Sequence, residues 1–187
     1  MSQTPKIILG IIIAALLIGG AYYFWRQSQS EITPSETVTP TPEAQTTTLT
    51  IMVPENPESY QQKMTDYAQL GGPDPAATWN FVPKQITVPY TDDLIKASAN
   101  AAAAEFPTGG GPNKAEVVYL KIIDGTAYVL MNIDIDGWAG VSVSLAIIHP
   151  VVEKTLLQFA EIENIVFGYA PGDSLETINY NPDSSSQ

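Results

Sequence analysis

The stretch Val117-Val-Tyr-Leu-Lys-Ile-Ile-Asp-Gly-Thr-Ala-Tyr-Val-Leu-Met-Asn-Ile-Asp-Ile135 decides the fold class. It holds two β-rich runs, 117–123 and 126–135, joined by Asp124-Gly125. Asp-Gly is a preferred pair for the two-residue type I′ turn, because both positions need positive φ. A two-residue turn fixes the register. Val118 is then expected opposite Met131, Leu120 opposite Val129 and Ile122 opposite Ala127, all on one apolar face. That face needs helices over it. The other face carries Tyr119, Lys121, Tyr128 and Asn132 and reads as half-solvated.

Helices are available on both sides of the hairpin. Upstream, residues 49–53 read as a short strand. Asn56-Pro57-Glu58 follows as a helix start, with Tyr60, Met64 and Tyr67 at i, i+4, i+7 and Gly71-Gly72 as the stop. Residues 79–88 form a second extended segment. Thr91 is the expected cap of the next helix, an alanine-rich stretch reaching Phe106, with Asp92 and Asp93 in its first turn. Downstream, Leu145, Ile148, Val152, Leu156 and Phe159 recur at helical spacing within residues 142–160. Pro150 is expected to kink that helix or start a second one, since it lacks an N–H and crowds the preceding turn. Residues 164–169 close the pattern as a core strand. The order strand, helix, strand, helix, hairpin, helix, strand predicts an α+β fold. It implies one mixed or antiparallel sheet, with one face covered by two main helices.

The N-terminus follows different rules. Residues 7–25 are 19 residues without a charge, about 28 Å of helix and close to a bilayer's hydrocarbon thickness. Lys6 and Arg26 flank them, and Tyr22, Tyr23, Phe24 and Trp25 form an interfacial collar. Residues 1–26 are therefore expected to be a retained transmembrane anchor. Cleavage after Ala21, the rival reading, would leave a chain beginning with four aromatics. The chain has no cysteine to acylate. Residues 27–48, with seven Thr, three Pro and no aromatic, read as a flexible linker. Residues 49–180 then form the folded domain and 181–187 a polar tail. All 20 Asp and Glu lie beyond Arg26 against six Lys, a net charge of −14. Such a surface repels nucleic acid and suits a basic or neutral partner.

The hairpin, the run Ile147-Ile-His-Pro-Val-Val-Glu-Lys-Thr-Leu-Leu-Gln-Phe159, the segment Ile162-Glu-Asn-Ile-Val-Phe167 and Gly172 together resemble the GerMN domain. This module belongs to spore-germination and sporulation proteins and to other bacterial envelope proteins. Val88-Pro-Tyr-Thr91 before the alanine-rich helix is similar to that family's first strand-to-helix junction. The resemblance implies an envelope binding or scaffolding domain and supplies no catalytic residue. Two features depart from the family: the helix around Tyr60 reads as an insertion, and a transmembrane helix stands where a lipidated cysteine is expected.

Residue chemistry points the same way. His149 is the only histidine, so a multi-histidine metal site is excluded, and its place in an apolar helix pattern reads as structural. Gly140-Val-Ser142-Val-Ser144 lacks the closing glycine of a nucleophile elbow. Gly109-Gly-Gly-Pro-Asn-Lys114 has phosphate-loop residues at the wrong spacing. Asn132-Ile-Asp134-Ile-Asp136-Gly137 matches the first half of a calcium loop, but Val143 stands where the bidentate Glu is required. On a strand, Asn132, Asp134 and Asp136 would share one face about 6.8 Å apart, too far to converge on one ion. Calcium binding there is expected to be absent or weak, and no cofactor is expected. The expected function is thus a single-pass, membrane-anchored, extracytoplasmic binding or scaffolding protein with a protein or cell-wall partner. The alternative is a cell-wall hydrolase using paired carboxylates.

Overall fold

A computed structural model describes residues 45–111 and 113–178. The expected anchor, nearly all of the linker and the tail at 181–187 lie outside these residues. Among the described residues, no helix is long and apolar enough to cross a membrane.

The class is α+β, built on two sheets instead of one. Strands β1 (Thr46–Pro54) and β2 (Phe81–Pro89) form an antiparallel ribbon, with Leu49 opposite Ile86 and Ile51 opposite Lys84. β1 begins at Thr46, three residues inside the stretch read as linker. The β-propensity of Thr46-Thr-Thr48, answered by Val88 and Thr87 on β2, outweighs its linker-like composition. Between the strands, α1 (Pro57–Leu70) starts where Asn56 accepts the N–H of Ser59. Helix α2 (Leu94–Ala103) is capped by Asp93, which accepts the N–H of Lys96. Thr91 was the expected cap. Its hydroxyl instead accepts the N–H of Asp93 and braces the approach to the helix.

The second sheet is β3 (Val117–Ile123), β4 (Thr126–Met131) and β5 (Asn164–Phe167), with β5 parallel to β4. The turn has the expected form, with φ of 47° at Asp124 and 75° at Gly125. Leu120 faces Val129 and Ile122 faces Ala127 as expected. Val118 does not face Met131. A bulge shifts the register, so that Val117 takes that place and is buried. The strand also ends early. Residues 126–135 do not run as one strand, because Asn132–Ile135 turns into a short helix, α3. Last comes α4 (Val141–Leu156), one helix that passes through Pro150 without a second start.

α4 is the hub. It packs against α1, α2 and β1 and also reaches β5, while α2 packs on β1 and β3, so this helix pair serves both sheets. Leu49, Ile51 and Val53 alternate into the core from β1, each apolar side chain gaining about 1.5–3 kcal/mol on full burial. Helix α1 is integral to that core. Tyr60 is fully buried among Trp79, Phe81 and Phe106, with ring centroids 5.4, 5.7 and 5.8 Å away. Its hydroxyl donates to the carbonyl of Ile147 at 3.0 Å, in the turn that Pro150 crowds. Burial, with a smaller contribution from Asp74, holds this phenol neutral well above the ordinary tyrosine range.

Candidate functional site

The residues singled out as a calcium half-loop occupy the end of β4 and α3, and their oxygens are turned onto the protein. Asn132 is buried, and its Oδ1 accepts the N–H groups of Glu116 (3.0 Å) and Ile133 (2.8 Å). Its Nδ2 donates to the Lys114 carbonyl at 3.3 Å. Asp134 Oδ2 accepts the N–H of Met131, and Oδ1 lies 2.7 Å from His149 Nε2. The side chains are thus held by the turn that ends β4, not displayed along a strand. The expected 6.8 Å spacing does not apply to them. Asp136, at the C-terminal end of α3, is not brought onto the same partners. Among the described residues, no group of three His, Cys, Asp or Glu could hold a metal ion.

His149 joins that cluster. Its ring stacks on Phe167 of β5 with centroids 3.7 Å apart and planes 3° from parallel. With Asp134 on one nitrogen and Phe167 on its face, the imidazole ties α3, α4 and β5 together. An Asp–His pair orients a base in hydrolases, but a nucleophile in contact with it is required. No hydroxyl is bonded to this pair among the described residues.

An open hollow lies elsewhere, between the end of β2 and α2. It has a volume of about 470 Å³. One wall is Val88, Pro89, Tyr90 and Thr91, and the other includes Lys96, Ala97, Asn100 and Ala101. Of these, Tyr90 is 58% exposed, and Leu94 in the first turn of α2 is 44% exposed. The Tyr90 hydroxyl donates to Asp92 at 2.7 Å, which raises the phenol's pKa and fixes the ring at the mouth. At the far end of α2, Lys84 and Glu105 bridge β2 to the chain beyond the helix at 2.6 Å. No family model, curated protein or solved structure matches the chain.

The hollow's side chains include no pair of opposed acids. The only acid lining this hollow is Asp93, whose carboxylate caps α2. Three further hollows contain Asp173 alone or no acid at all. Asp173 is itself engaged, accepting from the Tyr119 hydroxyl (2.6 Å) and Lys121 Nζ (2.9 Å), which together hold its carboxyl below the usual range. A glycosidase needs two carboxyl groups about 5–10 Å apart across one groove. None of these four hollows supplies that pair.

The groove has no direct signature in the sequence. Its walls are alanines and the end of a strand, residue types that ordinarily signal packing. One available signal was Tyr90, an aromatic placed between a strand-ending proline and a helix cap, where no core position is expected.

Proposed function

We propose that the chain is a membrane-anchored, extracytoplasmic binding or scaffolding module of the bacterial envelope, GerMN-like in kind and without catalysis. The observation that carries this reading is the open hollow between β2 and α2, with exposed Tyr90 in its wall and no opposed acids inside it. A shallow apolar site with few polar groups is suited to holding a partner, and nothing in it is arranged to activate water. The charge of −14 beyond Arg26 favours a neutral or cationic protein partner over nucleic acid or anionic polymer. The uncharged N-terminal segment supports the membrane anchor, and the linker supports reach away from the bilayer.

Two assays on the full chain test the reading. A photo-crosslinker replacing Tyr90 is expected to form a discrete adduct with an envelope protein. The same crosslinker replacing Leu157, exposed at the end of α4, is expected to form none. Incubation with purified cell-wall sacculi is expected to release no soluble sugar fragments. Fragment release that an Asp-to-Asn variant abolishes would establish the hydrolase instead.

A further inference from the structure

The backbone of β2 adds a second feature beside the groove. Met52 donates its N–H to Thr155 Oγ1 of α4 at 2.9 Å, away from β2. Met52 and Pro83, which face each other, therefore exchange no ladder bonds, and every second pair of the ribbon is of that kind. The flanking bonds agree with this alternation: Tyr90 N–H to the Gln45 carbonyl at 2.9 Å, and Glu55 N–H to the Asn80 carbonyl at 3.0 Å. On β2, positions 83, 85, 87 and 89 thus turn their backbone groups to the outer edge. Two of these are prolines without an N–H. The other two, Gln85 and Thr87, present an N–H and a carbonyl each, both side chains are exposed, and no described residue bonds their amides.

Resting on the binding reading above, we propose that β2 accepts an extended cationic polypeptide of a partner protein as an added strand, whose side chains enter the groove beside α2. An added strand lies about 4.8 Å from its neighbour, and its residues alternate between faces. Those on the core side pass over Val88 towards Ala97 and Ala101, where small side chains leave the space open. The charge of −14, with Asp93 in the groove wall and Asp92 bonded to the Tyr90 hydroxyl, outweighs Lys96, the one cation lining the groove, and makes a Lys- or Arg-bearing strand the complementary one. A second copy of this chain is disfavoured by the same charge. It is also disfavoured by geometry, since antiparallel pairing of two β2 strands about Ile86 sets Pro83 against Pro89. The prolines bracket the edge, so the added strand is short and the sheet cannot extend indefinitely.

The test is titration of the full chain with acetyl-Lys-Val-Thr-Val-Lys-Val-amide, read by fluorescence anisotropy of a labelled copy. Saturable binding is expected. Thr87→Pro, which removes one outward N–H and leaves the β1–β2 ladder intact, is expected to weaken it by about tenfold, the value of one backbone bond. Thr87→Ala keeps the amide and is expected to bind like the unaltered chain, which separates loss of the bond from loss of the side chain. Ala101→Leu, which fills the groove, is expected to weaken binding similarly. N-methylation of alternate peptide amides is expected to abolish it. No binding, equal binding by Thr87→Pro, equal binding of the Glu-for-Lys peptide, or displacement of a dimer by the peptide would each overturn the proposal. A Tyr90 adduct that survives Thr87→Pro unchanged would keep the binding module and reject strand addition.

Discussion

The β3–β4–β5 sheet and the β1–β2 ribbon treat their polar groups in opposite ways. Around the larger sheet, Tyr119 and Lys121 meet on Asp173, Asn132 meets the amide of Glu116, and Asp134 meets His149. The ribbon is equally well anchored on the β1 side, where Thr155 takes the amide of Met52. Along β2 the outward amides of Gln85 and Thr87 have no described partner, and an apolar hollow begins further along the chain at Val88. The larger sheet is the closed part, its polar side chains bonded to one another, and the ribbon is the open part, with an apolar hollow at the end of β2. Stability and recognition are therefore separable, and substitutions should sort by region.

The largest effect is expected in the closed part. Tyr60→Ala empties a fully buried aromatic site and leaves the Ile147 carbonyl without its donor. It is expected to cost about 3–5 kcal/mol in a denaturant titration. A loss below about 1 kcal/mol would mean that α1 is not part of the core. Next comes the hairpin turn. Asp124→Ala with Gly125→Val forces β-carbon-bearing residues into positive φ at both positions, with an expected cost of about 1–3 kcal/mol.

Acid should loosen the closed part locally. The Tyr119 hydroxyl, then Lys121, hold the Asp173 carboxyl below its ordinary value of 3.8. A carboxyl lowered on folding contributes stability above the unfolded value, and that contribution fades as pH falls through the folded value. Below about pH 4, the contact of residues 170–173 with Tyr119 is expected to weaken, read by tyrosine NMR shifts; Asp173→Asn should remove this pH dependence. The smallest effect on stability belongs to the open edge. Thr87→Pro is expected to change the melting midpoint by less than the equivalent of about 0.5 kcal/mol, because no ladder bond is lost.

How far the sequence foretold these regions depends on how local each cause is. The Asp124-Gly125 turn was legible because two adjacent residues dictate it. The starts of α1 and β3 were legible for similarly local reasons. Asn132 onward was misread: Asn132-Ile-Asp-Ile alternates like a strand. What stops β4 is long-range, with Asn132 held by Glu116 and Asp134 by His149. The division into two sheets was equally hidden, since strand patterns say which residues are buried but not which strands pair. Tyr60 was placed on a helix correctly, yet its carbonyl partner on α4 lies 87 residues away. The open edge of β2 was invisible for a further reason. It depends on which face of β1 meets Thr155, and only the folded register shows that.

Residue-resolved amide hydrogen exchange on the full chain, with and without the Lys–Val–Thr peptide, tests the contrast between open edge and closed core most directly. Without peptide, Lys84, Ile86 and Val88 should exchange slowly from within the ladder, while Gln85 and Thr87 exchange at nearly the unprotected rate. With peptide, protection should rise at Gln85 and Thr87 and change little in β3, β4 and β5. Equal protection of all five amides before peptide is added, or protection that rises only in the larger sheet, would contradict the account.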